Sequence, residues 1–211
     1  MSLLIHPIME QSFAVIDNLI GEHNFSPDEY AIVRRVIHST ADFEFKQLIS
    51  FSQGAIEAGI NALCDRTPII TDVGMVKQGI AGLVAQTFNN PLLCAVEKVE
   101  EPLPGKTRTE TGLIQCAQEF PQAIFVIGNA PTALLALCNM LPNPNLTPAL
   151  VIGAPVGFIS VLESKATLAQ TPVNQIRVCG RKGGSPVAAA ILNALIVLAW
   201  EREKGLEKYK V

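Results

Sequence analysis

Two hydrophobic rhythms divide the chain near residue 67. Before it, apolar positions recur at helical spacing. Ser26-Pro27-Asp28-Glu29 supplies an N-cap, a proline at the first helical position and a glutamate that completes a capping box. Tyr30, Val33, Val36 and Ile37 follow as the apolar side, leaving Arg34, Arg35 and His38 on the more polar surface. After residue 67, short apolar runs alternate with helical stretches. Residues 68–71, 92–96, 123–127, 149–152 and 175–179 are strand candidates, and helices are predicted near 75–87, 109–119, 131–141, 159–169 and 186–203. Runs apolar on both faces suit parallel strands covered by helices on each side. The alternation predicts an α/β fold, a three-layer α/β/α sandwich on a mainly parallel five-stranded sheet. Residues 142–148 read as a tight helix-to-strand connection. With no internal repeat or low-complexity linker, residues 1–211 are expected to form one domain.

Composition narrows the function classes. A chain of 211 residues, 49% hydrophobic and 17% charged, has the material for a substantial core. Its net charge of −3 argues against nucleic acid as a partner, since general nucleic-acid binders carry a basic excess. Cys64, Cys94, Cys116, Cys138 and Cys179 lie far apart with no CxxC pair, which fits small core residues in a reducing compartment. Residues 1–11 lack the basic region and long apolar run of a targeting segment. The longest apolar stretch, residues 187–200, is interrupted by Asn193 and falls short of the roughly 20 residues of a membrane helix. A buried helix, no membrane and a cytoplasmic location are expected.

Polar and glycine residues concentrate just after the strand candidates. Asp72 follows the first, Gly128-Asn129 the third, Gly153-Ala154-Pro155 the fourth and Gly180-Arg181-Lys182-Gly183-Gly184-Ser185 the fifth. Open α/β sheets bind ligands outside the carboxyl ends of their strands, so four such loops define a mouth. Each loop taken alone also has the composition that turns need. In GRKGGS, glycines ahead of a helix start let backbone N–H groups face an anion, with Arg181 and Lys182 adding charge. It is not a GxxxxGK[ST] loop, and the chain contains no GxGxxG; a carboxylate fits it as well as a phosphate. Lys106-Thr107-Arg108-Thr109 reads equally as a second cationic anion contact or a solvated basic turn.

Three histidines are present, His6, His23 and His38. His38 closes the capped helix, where the helix end raises an imidazole pKa, while Arg34 four residues earlier lowers it. A bound polyanion would neutralise the arginine and release that conflict. The placement suits a general acid, or else a surface histidine satisfying the last helical carbonyls. There is no GxSxG nucleophile, and the scattered histidines suggest no metal centre; no cofactor is expected. One proton donor, several anion contacts and an apolar lining suit a reaction such as an isomerisation.

Five segments, in order, carry a family resemblance: RRVIHSTADFEF around His38, TDVGMVKQGI around Asp72, GNAPTALLAL from Gly128, PALVIGAPVGFISVLESK from Pro148 and GRKGGSPVAAAILNAL from Gly180. Over about residues 11–195 the chain resembles the precorrin-8X methylmutases. The resemblance implies a flavodoxin-like fold and an isomerase of cobalamin (corrin ring) biosynthesis. It implies that a methyl group moves from carbon 11 to carbon 12 of a tetrapyrrole, giving hydrogenobyrinic acid or its cobalt counterpart. It also implies a homodimer with active sites near the subunit interface. The family's histidine, which protonates a ring nitrogen, maps onto His38, its serine onto Ser12 and its arginine onto Arg108. A substrate rich in carboxylates gives Arg34, Arg35, Arg108, Arg181 and Lys182 reasonable partners. Its flat face suits Met75, Val76 and Gly79, and Asp72, Gly128, Asn129, Gly183, Gly184 and Ser185 complete the rim. A tetrapyrrole carrier without turnover is the alternative.

Overall fold

The computed structural model describes residue 4 and residues 6–205. Two helices open the chain, α1 (Pro7–Leu19) and α2 (Pro27–Thr40). His6 caps α1 by accepting the Ile8 N–H at 3.2 Å. The predicted capping box starts α2: Ser26 Oγ accepts from the Glu29 N–H at 3.3 Å and Glu29 Oε2 from the Ser26 N–H at 2.8 Å. The chain continues through α3 (Phe45–Leu48), β1 (Ile49–Phe51), α4 (Ala55–Cys64), β2 (Ile69–Thr71), α5 (Gly74–Gln86) and β3 (Leu92–Cys94). A 3-10 turn (Ala95–Lys98) leads to α6 (Arg108–Glu119), β4 (Ile124–Ile127), α7 (Pro131–Met140), β5 (Leu150–Gly153), α8 (Val161–Gln170), β6 (Gln175–Val178) and α9 (Ser185–Glu203).

The sheet order is β1-β6-β5-β4-β2-β3. The five strands expected from sequence all form and pair in parallel. Counted from β2, their order is 2-1-3-4-5, the flavodoxin-like winding. The expected strand count needs one correction. β1 adds a sixth strand, antiparallel on β6, with Ile49 opposite Val178 and Phe51 opposite Ile176. Three residues are too few to display a period of two, so this strand leaves no signal in the hydrophobic pattern.

Alternation within the strands divides the core into two layers. Ile124 and Val126 of β4 pack with residues of α2, α4, α5 and α9, while Phe125 and Ile127 face α6, α7 and α8. Helix α9 rests on β4 and β5 and is flanked by α2, α4 and α5. That enclosure explains the unbroken apolar run of residues 187–192 and 194–200: a helix covered on every side has no polar face. Among the described residues α9 is the one helix long and apolar enough to cross a membrane, and most of it is buried as core.

The crossover helix α5 lies on one face of the sheet and α6, α7 and α8 on the other. The winding therefore reverses between β2 and β4, and the crevice at their carboxyl ends is the topological switch point.

Candidate functional site

Asp72 follows β2 directly at this switch point and is fully buried. Its Oδ1 accepts from the N–H groups of Val73 at 3.0 Å and Gly128 at 3.1 Å. Its Oδ2 accepts from those of Asn129 at 2.6 Å and Ala130 at 2.8 Å. The carboxylate thus stitches the end of β2 to the loop after β4 and serves the start of α7. Burial pushes its pKa up, against the four N–H bonds that favour the charged form. Every hydrogen bond that this expected rim residue makes here comes from a backbone N–H.

Three more expected contacts are packing residues. Val76 is fully buried. A Cβ on Gly79 would lie 2.9 Å from the Ala189 Cβ, so Gly79 is where α5 and α9 touch. A Cβ on Gly128 would lie 2.8 Å from Val76 Cγ2 and 2.9 Å from both the Ala188 Cβ and the Ser185 Cα, so its missing side chain lets the β4 loop close on α9. Met75 and Asn129, by contrast, project outward beside them, and Met75 is 69% exposed.

The glycine loop after β6 lies against the loop after β5. The Gly184 N–H donates to the Ala154 carbonyl at 2.9 Å. Gly183 sits at φ 154°, and a Cβ there would fall 2.4 Å from the Ala154 oxygen. Only glycine satisfies both conditions. Ser185 is buried as the first residue of α9. The two cations of the loop are anchored to protein: Arg181 donates to the Phe158 carbonyl at 3.0 Å, and Lys182 sits 2.6 Å from both Asp42 and Glu44. Lys182 thereby ties this loop to the turn after α2, four to six residues beyond His38.

His38 is exposed at the end of α2, its ring edge-on to Phe13 of α1 with centroids 5.4 Å apart. Its pKa lies below the ordinary value, first through partial burial and second through the Arg35 charge. Of the two opposing effects expected, the lowering one prevails, and its like charge is Arg35 and not Arg34. Arg34 is 8% exposed, and its guanidinium reaches Asp17 at 3.0 Å and covers the Phe13 ring at 4.4 Å. It fastens α1 to α2. Arg35 is half-buried and donates to the Met9 Sδ at 3.1 Å. Ser12 lies on α1 beside Phe13, its hydroxyl donating to the Ile8 carbonyl at 2.9 Å. The other histidines are structural: His6 caps α1, and His23 stacks on Tyr30 at 4.3 Å.

Arg108 opens α6 and donates to the carbonyls of Val96 and Val99, both at 3.1 Å, which puts it on the rim near β3. Residues absent from the sequence reading matter as well. Phe13 covers His38, Asp17 holds Arg34, and Asp42 with Glu44 holds Lys182. Lys165 of α8, 4% exposed, donates into the glycine loop. Its signal was in the sequence: a lysine on the stripe formed by Val161, Ser164 and Leu168, where a helix turns its apolar side inward.

Fold and rim define a doubly wound α/β protein that presents an imidazole, exposed apolar groups and glycine-rich, cation-bearing loops at one end of its sheet. The comparisons with known proteins identify the class more closely. The precorrin-8X methylmutase family matches residues 7–198. The cobalt-precorrin-8 methylmutase of a Synechocystis strain is 55% identical over 93% of this chain and 97% of its own. The precorrin-8X methylmutase of Pseudomonas aeruginosa is 36% identical over 93% and 95%. A solved precorrin-8X methylmutase from Thermus thermophilus superposes with a TM-score of 0.84 at 42% identity, over 92% of this chain and 98% of that one. The chain belongs to the precorrin-8X methylmutase family, isomerases of cobalamin biosynthesis.

Proposed function

We propose that the protein moves a methyl group from carbon 11 to carbon 12 of a precorrin-8 macrocycle, with His38 as general acid. The observation that carries this reading is the position of His38: a solvent-reachable imidazole on the rim that Lys182 ties to the glycine loop. Partial burial and Arg35 make its imidazolium more acidic than usual, which favours handing a proton to a ring nitrogen. Substrate carboxylates arriving at Arg35 would offset that charge and keep the proton on His38 until the macrocycle is in place.

Arg35, Arg108 and Arg181 are proposed to meet carboxylate arms, with Ser12, Asn129 and the backbone of residues 183–185 completing the polar rim. Met75 offers apolar surface to the ring. Asp72, Val76, Gly79 and Gly128 contribute by fixing the loops. General acid catalysis supplies about 10²–10⁴-fold; holding the ring in a reactive geometry supplies the rest.

The cobalt-containing macrocycle is favoured, because the relative at 55% identity bears the cobalt name. A homodimer is part of the reading. Phe158 and Ile159, 86% and 85% exposed beside Arg181, form apolar surface suited to a second copy, as do Ile8, Val15 and Leu19 on the outer side of α1. A cytoplasmic location fits the five free cysteines.

The test is a visible-spectrum time course of the purified protein with precorrin-8 and with cobalt-precorrin-8. Faster conversion of the cobalt form to the cobyrinic acid chromophore supports the whole reading. Faster conversion of the metal-free form corrects the choice of substrate. Binding of both without conversion makes the protein a carrier.

A further inference from the structure

Lys165 sits in the middle of α8, on the side turned toward the sheet, between Val161 and Leu168. Its side chain is carried into the interior, yet among the described residues its hydrogen bonds go to carbonyls and not to a carboxylate. Nζ donates to the Gly180 oxygen at 2.8 Å and to the Lys182 oxygen at 2.6 Å. Burying an ammonium is costly, and a methionine or leucine would fill the same volume without that cost. The charge therefore has a task beyond packing.

Peptide geometry indicates the task. In a planar trans peptide the C=O and the following N–H point in opposite directions. Lys165 draws the Gly180 and Lys182 carbonyls inward, so the N–H groups of Arg181 and Gly183 are turned outward. Between those peptides the Lys182 side chain is held by Asp42 and Glu44, and Gly183 rests against the backbone of residues 154–155. With Lys182 neutralised by two carboxylates, the loop's attraction for an anion falls on its N–H groups and on the start of α9. Such donors bind well only when they are held in place beforehand.

We propose that Lys165 is a positioning residue for substrate binding: from beneath the loop it holds residues 180–183 in the conformation whose N–H groups receive a carboxylate arm of the macrocycle. This inference rests on the function proposed above and extends it to a residue that never touches substrate. Burial lowers the Lys165 pKa to about 8, so near neutral pH it keeps the proton that two carbonyl acceptors require.

The test compares wild type with Lys165→Met and Lys165→Arg in the full-length protein. The readouts are KM, kcat and the affinity for the tetrapyrrole product, measured by fluorescence titration. Methionine is expected to raise KM and weaken product binding by about tenfold or more while kcat falls less, because the acid at His38 is untouched. Arginine, which also donates to two carbonyls, is expected to recover most of the affinity. A folded Lys165→Met protein with unchanged KM and product affinity overturns the proposal, as does a loss confined to kcat. If the methionine variant does not fold, Lys165→Gln carries the same comparison with one donor group in place of the ammonium. Wild-type turnover with unaffected variants sinks this inference alone. Wild type that neither binds nor converts the macrocycle sinks the proposed function and this inference together.

Discussion

At the scale of single residues, the environment of His38 decides how the protein should respond to pH. Partial burial and Arg35 both disfavour the imidazolium, so the free protein loses the proposed acid at a pH below the ordinary imidazole value of about 6.5. Because kcat/KM reports the free enzyme, its alkaline limb is expected below that value. The limb in kcat reports the complex, where the proposed substrate carboxylates would offset Arg35, and is expected at higher pH. Arg35→Gln should move the kcat/KM limb upward; a limb that stays put would show that Arg35 does not act on the catalytic acid. The position of His38 on the polar side of a capped helix end was legible. The direction of its pKa was not, since Arg34, Arg35 and His38 all read as polar surface. Only the docking of α1 separates them, by covering Arg34 with Phe13 and Asp17.

At the scale of elements, the loops after β2 and β4 are held by one buried carboxylate. Replacing Asp72 by Asn puts an amide NH₂ where backbone N–H groups need an acceptor. A loss of about 1–3 kcal/mol is expected in urea denaturation. Unchanged stability would mean that the four bonds to Asp72 do not organise the switch point. Gly128→Ala tests the approach of this loop to α9. Its Cβ would meet two side chains and a backbone Cα inside 3.0 Å, and a destabilisation of about 1–3 kcal/mol is expected by the same method. The doubly wound strands and α9 were legible because elements buried on both sides leave uninterrupted apolar runs. The packing contacts of Asp72, Val76, Gly79 and Gly128 were not. A loop at the mouth of a sheet has the same residue types whether they touch a ligand or each other. Lys165 was overlooked for the converse reason: a residue inside a helix carries no loop signature, and its partners lie 15 and 17 residues away.

At the scale of the whole molecule, the proposed homodimer assigns the exposed apolar surface to a second copy. Phe158 and Ile159 stand in the loop that leads into α8, next to the glycine loop after β6, where a second copy would close over the rim and exclude water. Placing glutamates at both positions is expected to shift sedimentation from dimer toward monomer and to reduce turnover with it. A dimer that persists would direct attention to the outer side of α1.

The most direct test of the central claim is single-turnover conversion of cobalt-precorrin-8 by wild type and His38→Ala, with product affinity titrated on the same samples. Methyl migration is expected to disappear in the variant while product affinity changes little, since His38 is assigned a proton transfer and not the grip on the ring. A variant that still forms the cobyrinic acid chromophore at the wild-type rate would contradict the assignment of His38 as the acid.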